Sequence, residues 1–107
     1  MAICEIEGDN FFDVGTQKDA VLLEFYATWC GPCRQMAPIL EDYAAAHADT
    51  PVYRADIDRN EELAARFGIT SVPTLLLLRE GRELDRAVGV MPGAALERFA
   101  AGCSAVR

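Results

Sequence analysis

Positive charge is scarce in this chain: Lys18 is its only lysine, and ten cations in all face 17 acidic residues, a formal net charge of -7. Nucleic acids and anionic lipid surfaces are bound chiefly through Lys/Arg clusters, so neither is an expected partner. No apolar run is long enough to span a membrane. Residues 1–9 show no basic segment followed by an apolar one, so no secretory signal is visible and a cytoplasmic protein is expected. Histidine occurs once, at His47, and cysteine four times. Only Cys30 and Cys33 are close together, with Cys4 and Cys103 near opposite ends, which is not the pattern of a disulfide-dense secreted scaffold. Repeats, linkers and low-complexity stretches are also absent.

What remains is an ordinary globular composition, 51% hydrophobic and 25% charged over 107 residues, which fits one domain spanning 1–107. Ile3 to Ile6 reads as a short strand, and Asp9 to Val14 as a helix opening on a capping Asp and bearing Phe11, Phe12 and Val14. The apolar run Val21 to Ala27, broken only by Glu24, reads as a central strand covered on both faces. From Pro32 through Ala48 apolar residues recur at helical spacing, with Pro38 expected to kink the helix without ending it. Val52 to Ile57 is the next strand. Asn60 is positioned to cap a helix from Glu61 to Phe67 that Gly68 stops. Thr74 to Leu78 and Leu84 to Val88, joined through Arg79-Glu80-Gly81-Arg82, form an antiparallel hairpin. A closing helix starts near Pro92 with Ala95, Leu96, Phe99, Ala100 and Cys103 on its inner face. The order βαβαβαββα argues an α/β fold, a mixed sheet with helices on both faces.

The chemistry concentrates in Cys30-Gly31-Pro32-Cys33. The segment falls where a buried strand hands over to a helix, so Cys30 is expected beside unpaired backbone N–H groups and the positive end of the helix dipole, which favour a thiolate. Cys30 is then the attacking nucleophile and Cys33, one turn deeper, the residue that resolves a mixed disulfide. Gly31 keeps the approach open and Pro32 stiffens the loop. A zinc site would need a second closely spaced ligand pair, and Cys4, Cys103 and His47 do not supply one. A CxxC pair between strand and helix reads as redox-active.

Phe25, Ala27, Trp29-Cys30-Gly31-Pro32-Cys33, Ala37-Pro38, Ile57-Asp58, Phe67-Gly68-Ile69, Val72-Pro73-Thr74, Gly81 and Val88-Gly89 together resemble the thioredoxin family along essentially the whole chain. The resemblance implies a five-stranded mixed sheet in the order 1-3-2-4-5, its last two strands antiparallel to the others, flanked by four helices. It also implies that Pro73 is cis and lies beside Cys30, where the residues alone read equally well as an ordinary proline opening a strand. Trp29, Gly31, Pro32, Val72, Pro73, Gly89 and Val90 would form a flat, mostly uncharged docking surface for extended segments around an oxidised disulfide. The implied function is that of a protein disulfide reductase and electron carrier without a cofactor of its own, recharged by an NADPH-dependent thioredoxin reductase and acting as a monomer.

Three positions depart from the family pattern. Glu24 stands where an aspartate is usual beneath the resolving cysteine, and as a buried carboxyl it is the expected general base for the Cys33 proton. Arg54 occupies the place of a lysine that tunes the acid, and Tyr26 that of a tryptophan. Cys4 and Cys103 are expected as small core residues, His47 as a solvated or dipole-facing side chain, and Asp56, Asp58, Glu61 and Glu62 as a solvated face. Two other functions use the same fold: a thiol oxidase or disulfide isomerase with a more oxidising dithiol, and a binding subunit whose redox activity is incidental. The Gly31-Pro32 pair disfavours the first and the intact active-site motif the second. A glutaredoxin fits the Trp29 to Cys33 context less well.

Overall fold

A computed structural model of the chain describes residues 3–11 and 18–102. Five strands, β1 (Ile3–Ile6), β2 (Val21–Tyr26), β3 (Val52–Asp56), β4 (Thr74–Arg79) and β5 (Arg82–Val88), form one sheet in the order β1-β3-β2-β4-β5. β1, β3 and β2 run parallel, β4 is antiparallel to β2, and β5 is antiparallel to β4, as the late hairpin implied; a hairpin reverses the chain once more, so β5 runs in the direction of β2 and only β4, not both last strands, opposes the others. The described residues hold three α-helices, α1 (Gly31–Ala46), α2 (Glu61–Arg66) and α3 (Gly93–Ala100), and a 3-10 turn at Gly8–Asn10. Of the helix expected at Asp9 to Val14, residues 12–14 lie outside the described residues.

Strand β2 is central because its side chains serve two cores. Leu22, together with Leu75 and Leu77, packs under Met36, Leu40 and Tyr43 of α1 and Leu96 and Ala100 of α3. Leu23 and Phe25, with Leu76 and Leu78, pack on the other side against Leu63 and Phe67 at α2. A strand buried on both faces reads as a continuous apolar run rather than an alternating one, which is why Val21 to Phe25 shows no polar alternation. Glu24 falls on the α1 face with Leu22.

Helix α1 runs unbroken through Pro38, as its apolar spacing foretold. At its far end His47, the C-cap residue, stacks on Tyr43 at 4.2 Å and pairs with Glu97 of α3 at 2.9 Å, so it joins two helices while its side chain stays 35% exposed. Asn60 does not cap α2 with its side chain; its Nδ2 bridges the carbonyls of Ile6 at 3.2 Å and Asp56 at 3.0 Å. Those bonds tie β1 to the end of β3. At the other end of α2 the Ile69 N–H donates to the Ala64 carbonyl at 2.9 Å and Gly68 N–H to Ala65 at 3.0 Å, with Gly68 at φ 63°. That left-handed stop is the one its glycine was expected to supply.

The edges differ from the expectation at two cysteines. Cys4 lies on the same face of β1 as the buried Ile6, yet it is exposed. Alternation fixes which face a residue takes; whether that face is covered depends on where the helices lie, and β1 is an edge strand. Cys103 lies outside the described residues. On the opposite edge, Leu77 faces Asp85 while Leu78 faces Glu83, so Leu84 is an extra residue in β5. Such a bulge twists an edge away from further pairing.

Arg86 of β5 joins the hairpin to α2: its Nη2 donates to the Phe67 carbonyl, and Nε and Nη2 donate to Glu83 at 2.8 Å each. We expect Arg86→Ala to lower stability by about 1–2 kcal/mol, the scale of hydrogen bonds to a charged group at a half-buried site. Urea unfolding with an unchanged m-value is the check.

Candidate active site

The buried strand β2 ends at Tyr26, and Ala27 begins the turn that reverses into α1. The Cys30 N–H closes this turn on the Ala27 carbonyl at 3.3 Å. Cys30 then takes the N-cap position of α1 with extended backbone, φ -92° and ψ 116°, and Pro32 sits in the first turn, where its missing N–H costs nothing. The Cys33 N–H donates to Cys30 Sγ at 3.1 Å. In the reduced protein the same donor would meet a thiolate, at the positive end of a helix with no acidic residue in its first turn.

Cys30 and Cys33 form a disulfide, with Cα atoms 5.3 Å apart. Both are nearly covered, at 5% and 2% exposure. Cys30 borders a cavity of about 430 Å³ lined also by Trp29, Gly31, Pro32 and Val72 on the active-site side. Across it stand Ile57, Ile69, Thr70 and Ser71, none of which the sequence singled out as site residues. The Val72-Pro73 bond is cis, and the Val72 carbonyl oxygen lies 3.7 Å from Cys30 Sγ. Pro73 itself is buried, and its carbonyl accepts the Gly89 N–H at 2.9 Å, which brings the loop bearing Gly89 and Val90 to the same end of the sheet. Trp29 is 64% exposed and Val90 40%, so large apolar surface faces solvent around the disulfide.

Trp29 is held in that exposed position by its indole N–H, which donates to Asp58 Oδ2 at 2.8 Å. The acidic segment is therefore not uniformly a solvated face. Asp56 is buried and accepts the Asp58 N–H at 2.9 Å, while Asp58 anchors the tryptophan. Charge composition alone grouped these carboxylates together; the chain turn after β3 separates their roles. Among the described residues no group of three or more His, Cys, Asp or Glu is arranged to hold a metal ion.

Glu24 is fully buried in β2. Arg54 Nε donates to its Oε1 at 3.0 Å, and Oε2 has no hydrogen-bond partner among the described residues. Burial pushes the Glu24 carboxyl above its ordinary range, and the adjacent Arg54 charge and hydrogen bond pull it only part of the way back.

A buried dithiol at the head of a helix, flanked by a cis-proline loop and opening on an apolar cleft, is the site of a thiol–disulfide oxidoreductase. A family profile described as thioredoxin matches residues 2–102. The thioredoxin of Alicyclobacillus acidocaldarius is 49% identical over 91 residues, covering 83% of this chain and 87% of that protein. That of Bacillus subtilis is 39% identical over 92 residues, covering 85% and 88%. Among solved structures, a mutant thioredoxin from Halobacterium salinarum superposes with a TM-score of 0.85 at 33% identity, covering 94% of this chain and 89% of that one. A thioredoxin from Malassezia sympodialis gives 0.86 at 28%, covering 95% and 90%. The chain belongs to the thioredoxin family, and its function is thiol–disulfide exchange through a dithiol active site.

The raised proton affinity of Glu24 has a stability consequence whose sign is set. The folded state holds the proton more tightly than the unfolded state, so the full benefit of the protonated form is present below the ordinary carboxylate range and is lost as pH rises through the folded value. Glu24→Gln removes the buried charge while leaving an oxygen for Arg54. We expect its stability relative to the parent to be greater at pH ~8 than at pH ~4, where the parent's carboxyl is protonated. Urea unfolding at both pH values measures it.

Proposed function

We propose that the protein is a protein disulfide reductase, in which Cys30 attacks, Cys33 resolves and Glu24 accepts the Cys33 proton. In the reduced form the Cys30 thiolate would attack one sulfur of a substrate disulfide and expel the other as a thiolate, leaving a mixed disulfide. Cys33 then passes its proton to the Glu24 carboxylate and attacks Cys30 Sγ. The Cys30–Cys33 disulfide forms, the second substrate thiolate leaves, and two electrons have moved from dithiol to substrate. The observation that carries this reading is the Cys33 N–H directed at Cys30 Sγ at 3.1 Å, which favours negative charge on Cys30 over Cys33.

Glu24 supports the base assignment by its complete burial on the face of β2 that α1 covers and by the unpartnered Oε2. An acceptor with raised proton affinity matches the task better than an ordinary carboxylate. Pro73, Val72, Trp29, Gly31, Pro32, Gly89 and Val90 would bind the substrate. The chain enters β4 at Thr74, so Val72 lies just before the strand ladder, where an extended substrate segment can add alongside it. Apolar, weakly featured walls suit many sequences rather than one.

The same reading makes the protein a monomer of one domain, 1–107, in the cytoplasm, where an NADPH-dependent thioredoxin reductase returns the two electrons. No helix in the described residues is long and apolar enough to cross a membrane.

Three measurements test the assignment. Equilibration with dithiothreitol, followed through the fluorescence of Trp29, should show a strongly reducing pair, one that would be mostly oxidised in equilibrium with a glutathione pool poised at about -240 mV. A markedly oxidising pair would instead indicate an oxidase or isomerase. With a peptide disulfide, Cys33→Ser should accumulate a mixed disulfide on Cys30 by mass spectrometry, and Cys30→Ser should form none. Glu24→Gln should slow the resolving step by about 10- to 100-fold near neutral pH and flatten its pH dependence; an unchanged rate would remove Glu24 from the mechanism.

A further inference from the structure

Around Glu24 stand polar side chains that the exchange reaction does not account for. Strand register places Glu5 of β1, Arg54 of β3 and Glu24 of β2 in one row across the sheet. Neighbours in such a row point to the same face and lie within reach of one another. Arg54 Nε donates to Glu24 Oε1 at 3.0 Å, and its guanidinium carbon lies 3.8 Å from the centre of the Tyr26 ring. The Tyr26 hydroxyl in turn donates to Glu5 Oε2 at 2.7 Å. The contacts thus run from the sheet edge inward: Glu5 fixes Tyr26, Tyr26 carries Arg54, and Arg54 meets the acid.

The exposure gradient along this chain gives it a physical role. The Arg54 side chain keeps 21% of its surface in water while Glu24 keeps none. A guanidinium at that boundary can exchange a carboxylate for water with little loss, whereas a buried carboxylate deprived of its cation has no alternative but to take a proton. A flat aromatic face is the surface on which arginine stacks most readily, and it restrains the guanidinium in the plane that reaches Glu24.

We propose that Tyr26 and Glu5 are positioning residues that hold Arg54 against Glu24 and thereby set the proton affinity of that buried acid. The proposal deepens the base assignment of Glu24 and rests on it for its meaning in the reaction. The charged groups acting on the acid are Arg54 from β3 and Glu5 from β1; Asp56 acts on Tyr26, and the β4 neighbour, Leu75, is apolar. Arg54 lowers the proton affinity of Glu24 and Glu5 raises it. The two positioning residues therefore have opposite signatures. Removing the Tyr26 platform frees Arg54 and raises the affinity. Neutralising Glu5 while keeping an oxygen for the Tyr26 hydroxyl lowers it.

The test is the titration of the Glu24 side-chain carboxyl by carbon-13 NMR in the oxidised full chain, alongside the pH profile of the resolving step. Tyr26→Leu should tighten proton binding at Glu24 by about tenfold or more, the scale of losing a neighbouring opposite charge. Tyr26→Phe, which keeps the ring and loses only the bond to Glu5, should give a smaller rise, and Glu5→Gln should move the titration the other way. A packing role alone would move stability in all three without this ordering. If the Glu24 midpoint stays put in Tyr26→Phe and Glu5→Gln, each folded by circular dichroism, the proposal is overturned. If the midpoint moves as ordered while the resolving step keeps its pH profile, the positioning role stands and the base assignment of Glu24 falls.

Discussion

The junction between β2 and α1 is the constraint on which the rest of this protein depends. A strand buried on both faces delivers the chain to the end of the sheet, and a turn closed by the Cys30 N–H on the Ala27 carbonyl starts a helix at that point. The first turn of a helix carries N–H groups without intrahelical partners. Here one of them, on Cys33, points at Cys30 Sγ. Both the sulfur and the donor belong to this turn, so the two cores that fix β2 and α1 fix where it sits at the end of the sheet. Met36 and Leu40 hold the helix on one side of the strand, while Leu23 and Phe25 lock the strand from the other.

Against this apolar framework Glu24 is an anomaly with a compensation. A lone buried carboxylate is costly, and the sheet answers with one cation from the adjacent strand, shared across a row of three side chains. The compensation is incomplete, since one carboxyl oxygen has no partner among the described residues. Burial that the cation only partly offsets raises the proton affinity of the acid. A hydrophobic residue at position 24 would pack better and do less.

Much of the architecture was legible because its signals are local. The apolar run of β2, the helical spacing of α1 through Pro38, the glycine stop at Gly68 and the short link between β4 and β5 each arise from backbone geometry and nearest-neighbour sterics. Elements that depend on distant partners were read less well. Asn60 has the chemistry of a helix cap but spends its amide on β1 and β3. Cys4 has the right alternation for a core residue but sits on an uncovered part of an edge strand. Asp56 and Asp58 are two positions apart in the chain, yet one is buried and the other anchors an indole.

By itself the sequence determined the dithiol, its place between strand and helix, and the charge type at position 24, because these follow from residue identity and spacing along one chain. Only the tertiary structure decided which residues complete the site. Ile57 and Ile69 reach the cleft, Asp58 holds Trp29 outward, and Glu5, Tyr26 and Arg54 converge on Glu24. These partners come from separate strands and loops, and what brings them together is sheet register, a long-range property set by the packing of the whole fold.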